Sequence, residues 1–107
     1  MKIVSLGTFT KEVKRLHKKY KNIAKDLKDL EEILRADPNA GTELGRHCYK
    51  IRLANSSISV GKSGGFRVVY YYRQQEFIYL MSIYLKTELP TISDERITEI
   101  LEENGLL

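Results

Sequence analysis

Apolar residues recur along this chain with two different periods. Lys2-Ile3-Val4-Ser5-Leu6 alternates and then meets Gly7, which predicts a short strand. Phe9, Val13, Leu16 and Tyr20 then fall three to four residues apart, the spacing of one helix face. Thr8 or Thr10 is placed to cap that helix. Lys11, Lys14, Arg15, Lys18 and Lys19 fill its remaining arc, so the helix is amphipathic and basic. Ile23, Leu27, Leu30 and Leu34, thickened by Ala24 and Ile33, form the stripe of a second helix. Asn22 can cap it. It ends near Asp37-Pro38, because proline disfavours helix in the residue before it. The short gap around Lys21 predicts an antiparallel helical hairpin. Residues 38–47, with Pro38, Asn39, Gly41 and Gly45, read as a loop.

The period then changes to two. Tyr49, Ile51 and Leu53 alternate with Lys50, Arg52 and Ala54. A Ser/Gly-rich loop covers 55–65. Phe66, Val68, Tyr70 and Tyr72 alternate with Arg67, Val69 and Tyr71, and Arg73-Gln74-Gln75-Glu76 makes a turn. Residues 77–85 are nearly all apolar, as in an interior strand covered on both faces. After a connector containing Pro90, Ser93 or Asp94 can cap a last helix through about Glu103, with Ile97, Ile100 and Leu101 as its stripe. The predicted order is β-α-α-β-β-β-α, an α+β fold in which an antiparallel sheet packs against the N-terminal hairpin.

A chain of 107 residues, 42% hydrophobic, is one domain spanning 1–107 with enough apolar material for its own core. No run approaches the ~20 apolar residues of a membrane-spanning helix. The start of the chain does not read as a signal peptide, so the expected compartment is cytoplasmic. The net charge of +4 is unevenly spread: residues 1–25 carry +7, 26–38 carry −3, 39–86 carry +5 and 87–107 carry −5. A body with +9 over its first 86 residues attracts phosphate backbones, although a solvated basic face beside an acidic helix accounts for the same numbers.

Familiar catalytic sets are absent from the sequence. Its single cysteine, Cys48, and two histidines, His17 and His47, match no zinc spacing, so no metal or other cofactor is expected. His47 and Cys48 are adjacent on an extended segment and point to opposite faces, which argues against a thiolate–imidazole pair. The stretch 61–65, GKSGG, fails the phosphate-loop pattern because Ser56 stands where the first glycine is required, and it leads into a strand.

What remains is a set of cations. Lys50 and Arg52 lie two apart on one strand face; Arg67 heads the next strand; Lys62 lies in the joining loop; Tyr84 and Lys86 end the last strand, again two apart. Cleavage of RNA by its own 2′-hydroxyl needs a base, cations that stabilise a doubly charged phosphorane-like state, and an acid for the 5′-oxygen. Arginine and lysine supply the second service. A lysine crowded by cations can also act as the base, because like charges disfavour its charged form. No metal is required. Tyrosine can stack on a base, and Tyr71, on the Arg67 face, is a better ligand candidate than Tyr70 or Tyr72, which read as core and rim. The plainer alternative is a basic strand face that binds phosphate or an acidic partner without catalysis.

The hairpin followed by CYKIRLAN, GKSGGFRVVYYY and IYLKTE resembles the RelE/ParE toxin superfamily, and most of all the RelE/HigB-like toxins of bacterial type II toxin–antitoxin modules. The resemblance covers nearly the whole chain. Its most specific parts are Tyr49-Lys50-Ile51-Arg52-Leu53, Gly65-Phe66-Arg67-Val68-Val69-Tyr70 and Tyr84-Leu85-Lys86. It implies a microbial-ribonuclease-like fold and metal-independent cleavage of messenger RNA in the ribosomal A site. It also implies neutralisation by a cognate antitoxin protein. Carried over by position, Lys50 and Arg52 form the strand basic pair, with Lys50 favoured as general base. Arg67 stabilises the transition state, and Lys86 contacts the scissile phosphate or leaving group. Lys62 matches the loop lysine of HigB-like variants, and Tyr84 stacks on a base. Lys11, Lys14, Arg15, Lys18 and Lys19 would grip ribosomal RNA. Some RelE toxins carry a site tyrosine where residues 89–93 here have none. The ParE-like alternative inhibits DNA gyrase by protein binding alone, and would have no use for five convergent cations.

Overall fold

The computed structural model of the chain describes residues 1–59, 61, 64–73 and 76–107. Strand β1 (Lys2–Ser5) leads into helix α1 (Gly7–His17), and helix α2 (Ile23–Ala36) follows. Four strands come next: β2 (Thr42–Gly45), β3 (Cys48–Leu53), β4 (Phe66–Arg73) and β5 (Phe77–Leu85). Helix α3 (Asp94–Glu103) closes the chain. The strands form one sheet in the order β1-β5-β4-β3-β2. No helix among the described residues is long and apolar enough to cross a membrane.

Two expectations are corrected. The predicted order lacked a strand, because β2 lies within 38–47, which reads as loop. Its four residues are mostly exposed, so burial leaves no alternation to detect. Pairing creates it instead: Thr42 faces Lys50 and Glu43 faces Tyr49 across an antiparallel ladder. The turn between them uses Arg46 (φ 54°) and His47 (φ 64°). Two positive φ values are what a two-residue hairpin needs, but asparagine and glycine usually supply them, so the sequence gives little sign of the turn. The sheet is also mixed, not wholly antiparallel. β2 to β5 form an antiparallel meander, whereas β1 runs parallel to β5, with Lys2 beside Phe77 and Ser5 beside Leu80.

The two periods sort the apolar residues onto two faces. Under the hairpin, Phe9, Leu16, Ile23, Leu30 and Leu34 pack on Leu53, Phe66, Val68, Tyr70 and Ile83. Under α3, Ile97, Ile100 and Leu101 pack on Cys48, Val69, Tyr71, Met81 and Tyr84. β5 is therefore covered on both faces, as its unbroken apolar run requires. The register of β4 on β5 shifts between Val69 and Tyr70, leaving Met81 as the extra residue of a bulge.

The expected caps are partly replaced. Leu6, not Thr8 or Thr10, occupies the N-cap of α1, without a side-chain bond. Asn22 stands at the N-cap of α2, but its side chain reaches Ser56 O instead of the helix. Ser93 does cap α3, accepting from the Arg96 N–H. α1 stops at His17, so the link to α2 is longer than the spacing suggests. Along the edge of β5 beyond β1, Glu12 of α1 accepts from Ser82 Oγ at 2.9 Å and from the Ile83 N–H at 3.2 Å. Burial raises the Glu12 pKa, and those two bonds partly oppose it.

Candidate functional site

Period-two geometry alone puts Lys50, Arg52 and Arg67 on the α3 side of the sheet, opposite the hairpin. The ladder then aligns them. Arg52 faces Arg67, and Arg67 faces Tyr84 on its other side. Directly opposed positions on neighbouring antiparallel strands bring Cβ atoms to about 5 Å, so Arg52 and Arg67 are immediate neighbours. Lys50 lies two residues along β3, between Thr42 and Val69. Lys86 follows the end of β5.

These four cations line a single cleft of ≈ 300 Å³, together with Thr42 and Pro90. Among the described residues, no carboxylate lies within 4.0 Å of Lys50, Arg52 or Lys86, and the ion pairs present lie elsewhere. Like charges converging on one cleft repel one another, and an anion relieves that repulsion. Arg67 is the most enclosed, at 5% exposure, and its Nη1 donates to Phe66 O at 3.1 Å. Burial, reinforced by the Arg52 guanidinium, pulls its pKa below the ordinary arginine value. Arginine still keeps its proton at neutral pH. The cleft thus has an enclosed cation, Arg67, at its base and exposed cations, Arg52 and Lys86, at its rim.

Gly65 controls how β4 enters this site. A Cβ there would collide with Leu53 O and stand 3.0 Å from Asn55 N. The two strands approach at the residue before Phe66, and only glycine permits it.

The two tyrosines expected at the substrate are both buried, although Tyr84 stands directly opposite Arg67. Tyr71 is 5% exposed and packs edge-on against the His47 ring and near Tyr79. Tyr84 is 3% exposed beneath the connector, its hydroxyl accepting from the Ile92 N–H. Both serve the core under α3, and neither presents a ring face for stacking. Their period-two positions put them on the correct face, but the third helix takes that face for its own packing. Lys62 lies outside the described residues.

Lys11, Lys14, Arg15, Lys18 and Lys19 are all exposed along or just beyond α1. Arg15 reaches Glu88 at 3.4 Å. That pair is half-exposed and contributes little energy. It does bring Arg15 of α1 to the connector that carries Pro90.

Thr42, at the cleft edge, is a residue the sequence does not single out. Recognising the turn at Arg46-His47 was the one route to it, since that turn folds Thr42 back beside Lys50. Neither histidine joins the cations in the cleft lining. Cys48 is fully buried, with its pKa pushed up to about 11 by burial, and is no nucleophile. Among the described residues no cluster of three metal-ligating side chains forms.

The fold and cleft together define a small α+β domain with a polycationic cleft suited to a phosphate-bearing ligand. No protein-family model matches the chain, and no curated protein matches its sequence.

Proposed function

We propose that the chain is a metal-independent endoribonuclease, the toxin of a type II toxin–antitoxin pair, acting on messenger RNA in the ribosomal A site. The observation that carries this reading is the convergence of Lys50, Arg52, Arg67 and Lys86 on one cleft. In the proposed chemistry the scissile phosphate sits among them. Lys50 takes the 2′-proton, Arg52 and Arg67 stabilise the charge that builds on the non-bridging oxygens, and Lys86 assists the departing 5′-oxygen. The exposed cations of α1 bind ribosomal RNA. The ribosome supplies alignment of the message, so activity on free RNA is expected to be low. A cognate antitoxin is the expected protein partner.

The test is cell-free translation with primer extension on the message. Arg52→Ala and Lys86→Ala are the informative variants, because both side chains are exposed and their loss leaves the core intact. Arg67→Ala is a weaker test, since that side chain is enclosed. Ribosome-dependent A-site cuts are expected from the native chain and should fall about 10²–10³-fold in each variant at unchanged Tm. Undisturbed translation at every dose of native chain refutes the nuclease, and gyrase supercoiling becomes the next assay.

A further inference from the structure

A second cavity adjoins the cation cleft. Its volume is ≈ 440 Å³, within the usual range for small-ligand sites. It shares Thr42, Lys50 and Arg52 with the cleft, so those residues form the wall between the two. Its other walls are different in kind: Ile33 from the last turns of α2, Ala40, Gly41 and Ile51. One compartment is lined by four cations, whereas the other sets apolar residues, Ile33, Ala40 and Ile51, beside the shared Thr42, Lys50 and Arg52.

The second compartment is built to hold its shape. The Tyr70 hydroxyl donates to Pro38 O at 2.8 Å and accepts from the Gly41 N–H at 3.1 Å. Asn39 Nδ2 donates to the Tyr49 hydroxyl at 2.8 Å, and the Tyr49 and Tyr70 rings stack at 5.3 Å. Two tyrosines thus pin residues 38–41 from below. A Cβ on Gly41 would lie 2.7 Å from Lys50 O, so this backbone rests directly on β3. β2 stops pairing at Lys50, so among the described residues no strand pairs with Ile51 or Arg52 on that side. The free edge faces the compartment and can meet the polar rim of a planar ring, while Ile33 and Ile51 meet its apolar faces.

We infer that this compartment is a nucleobase subsite, holding the base of the nucleoside whose phosphate occupies the cation cleft. The inference rests on the cleft being the phosphate site and adds what the nuclease reading leaves open, the residues that contact the base. Arg52 and Lys50 bridge the two compartments and suit the ribose phosphate between them. Thr42 stands at the junction and is a specificity-determining position.

The experiment is an NMR titration of the full chain with inorganic phosphate and with the four nucleoside 3′-monophosphates. Ala40→Phe fills the subsite from an exposed position and leaves the cations in place. Amide shifts at Lys86 and Arg52 are expected with every ligand, and shifts at Ala40, Gly41 and Ile51 with nucleotides only. At least one nucleotide should bind the native chain five-fold or more tighter than phosphate does. Ala40→Phe should abolish that gain while leaving phosphate affinity and Tm unchanged. Phosphate binding with no nucleotide advantage overturns the subsite and spares the cleft. A nucleotide advantage that survives Ala40→Phe, without shifts at residues 40, 41 and 51, also overturns it. Failure of phosphate and nucleotides alike overturns both readings.

Discussion

Tyr70→Phe tests how much of the site's geometry hangs on one hydroxyl. The ring is fully buried and stays in the variant, stacked on Tyr49, so no cavity larger than the oxygen opens. What is lost is a donor to Pro38 O and an acceptor for the Gly41 N–H. Each net hydrogen bond contributes about 1 kcal/mol, and a partly covered N–H or C=O left without a partner costs about as much again. Pro38 and Gly41 are only half-buried, so water recovers a share. The expected loss is about 1–3 kcal/mol. An unfolding entropy of about 2 cal/mol/K per residue converts this to a Tm drop of about 5–13 °C for a chain of this length. Urea unfolding should show a lower midpoint at unchanged m, because the buried area is the same. The Gly41 amide should lose its protection from hydrogen exchange while core amides of β4 keep theirs relative to the new global stability. A pH arm follows. Burial raises the Tyr70 pKa above its ordinary value of 10.0, so its contribution is complete below pH 10 and declines as pH rises through the higher folded value. The variant should lack that part of the alkaline decline. A Tm within about 2 °C of native, with Gly41 still protected, would refute the claim that Tyr70 pins residues 38–41.

Three further outcomes are expected. Cys48 titrates at about 11 in the fold against 9.0 unfolded, so native stability should fall by about 2–3 kcal/mol as pH climbs from 9 past 11. Cys48→Ala should flatten that slope in alkaline denaturation curves, and thiol reagents should label the native chain only as fast as it unfolds. Glu12→Gln keeps an oxygen for Ser82 and the Ile83 N–H while removing a charge that burial disfavours, so chemical denaturation at pH 7 should find it as stable as native or more so. Glu12→Ala, leaving both donors unmet, should cost about 1–3 kcal/mol. Gly65→Ala forces a Cβ into the Leu53 carbonyl, a backbone atom that cannot swing away, and should cost about 1–3 kcal/mol or more in urea unfolding.

The sequence and the structure agree where burial imposes a period. β5 spans Phe77–Leu85 and α3 runs Asp94–Glu103, both at the expected bounds, because their apolar residues have no other place to go. The cation set was legible for the same reason: Lys50, Arg52 and Arg67 are the polar positions in the alternation of two strands, always on one face. β2 was not legible, since its residues stay exposed and only the Arg46-His47 turn brings them to β3. The fates of Tyr71 and Tyr84 were hidden for a different reason. Alternation names a face but not what covers it, and α3 takes the space those rings were expected to share with RNA. The parallel partner of β1 is equally invisible from local pattern, because it lies more than seventy residues away.

That distant partner has a kinetic consequence. β1, the first strand of the sheet in chain order, is held by residues 77–80 of β5, the last. Closing so long a loop carries an entropic cost that no local contact offsets in advance, and such pairings slow folding. The hairpin helices can form early, but their apolar stripes have no sheet to cover until β4 and β5 exist. The cation cleft needs Thr42, Arg67, Lys86 and Pro90 together, so it too is among the last features to assemble. The cleft therefore takes shape only after residues spread from Thr42 to Pro90 have been made and have met.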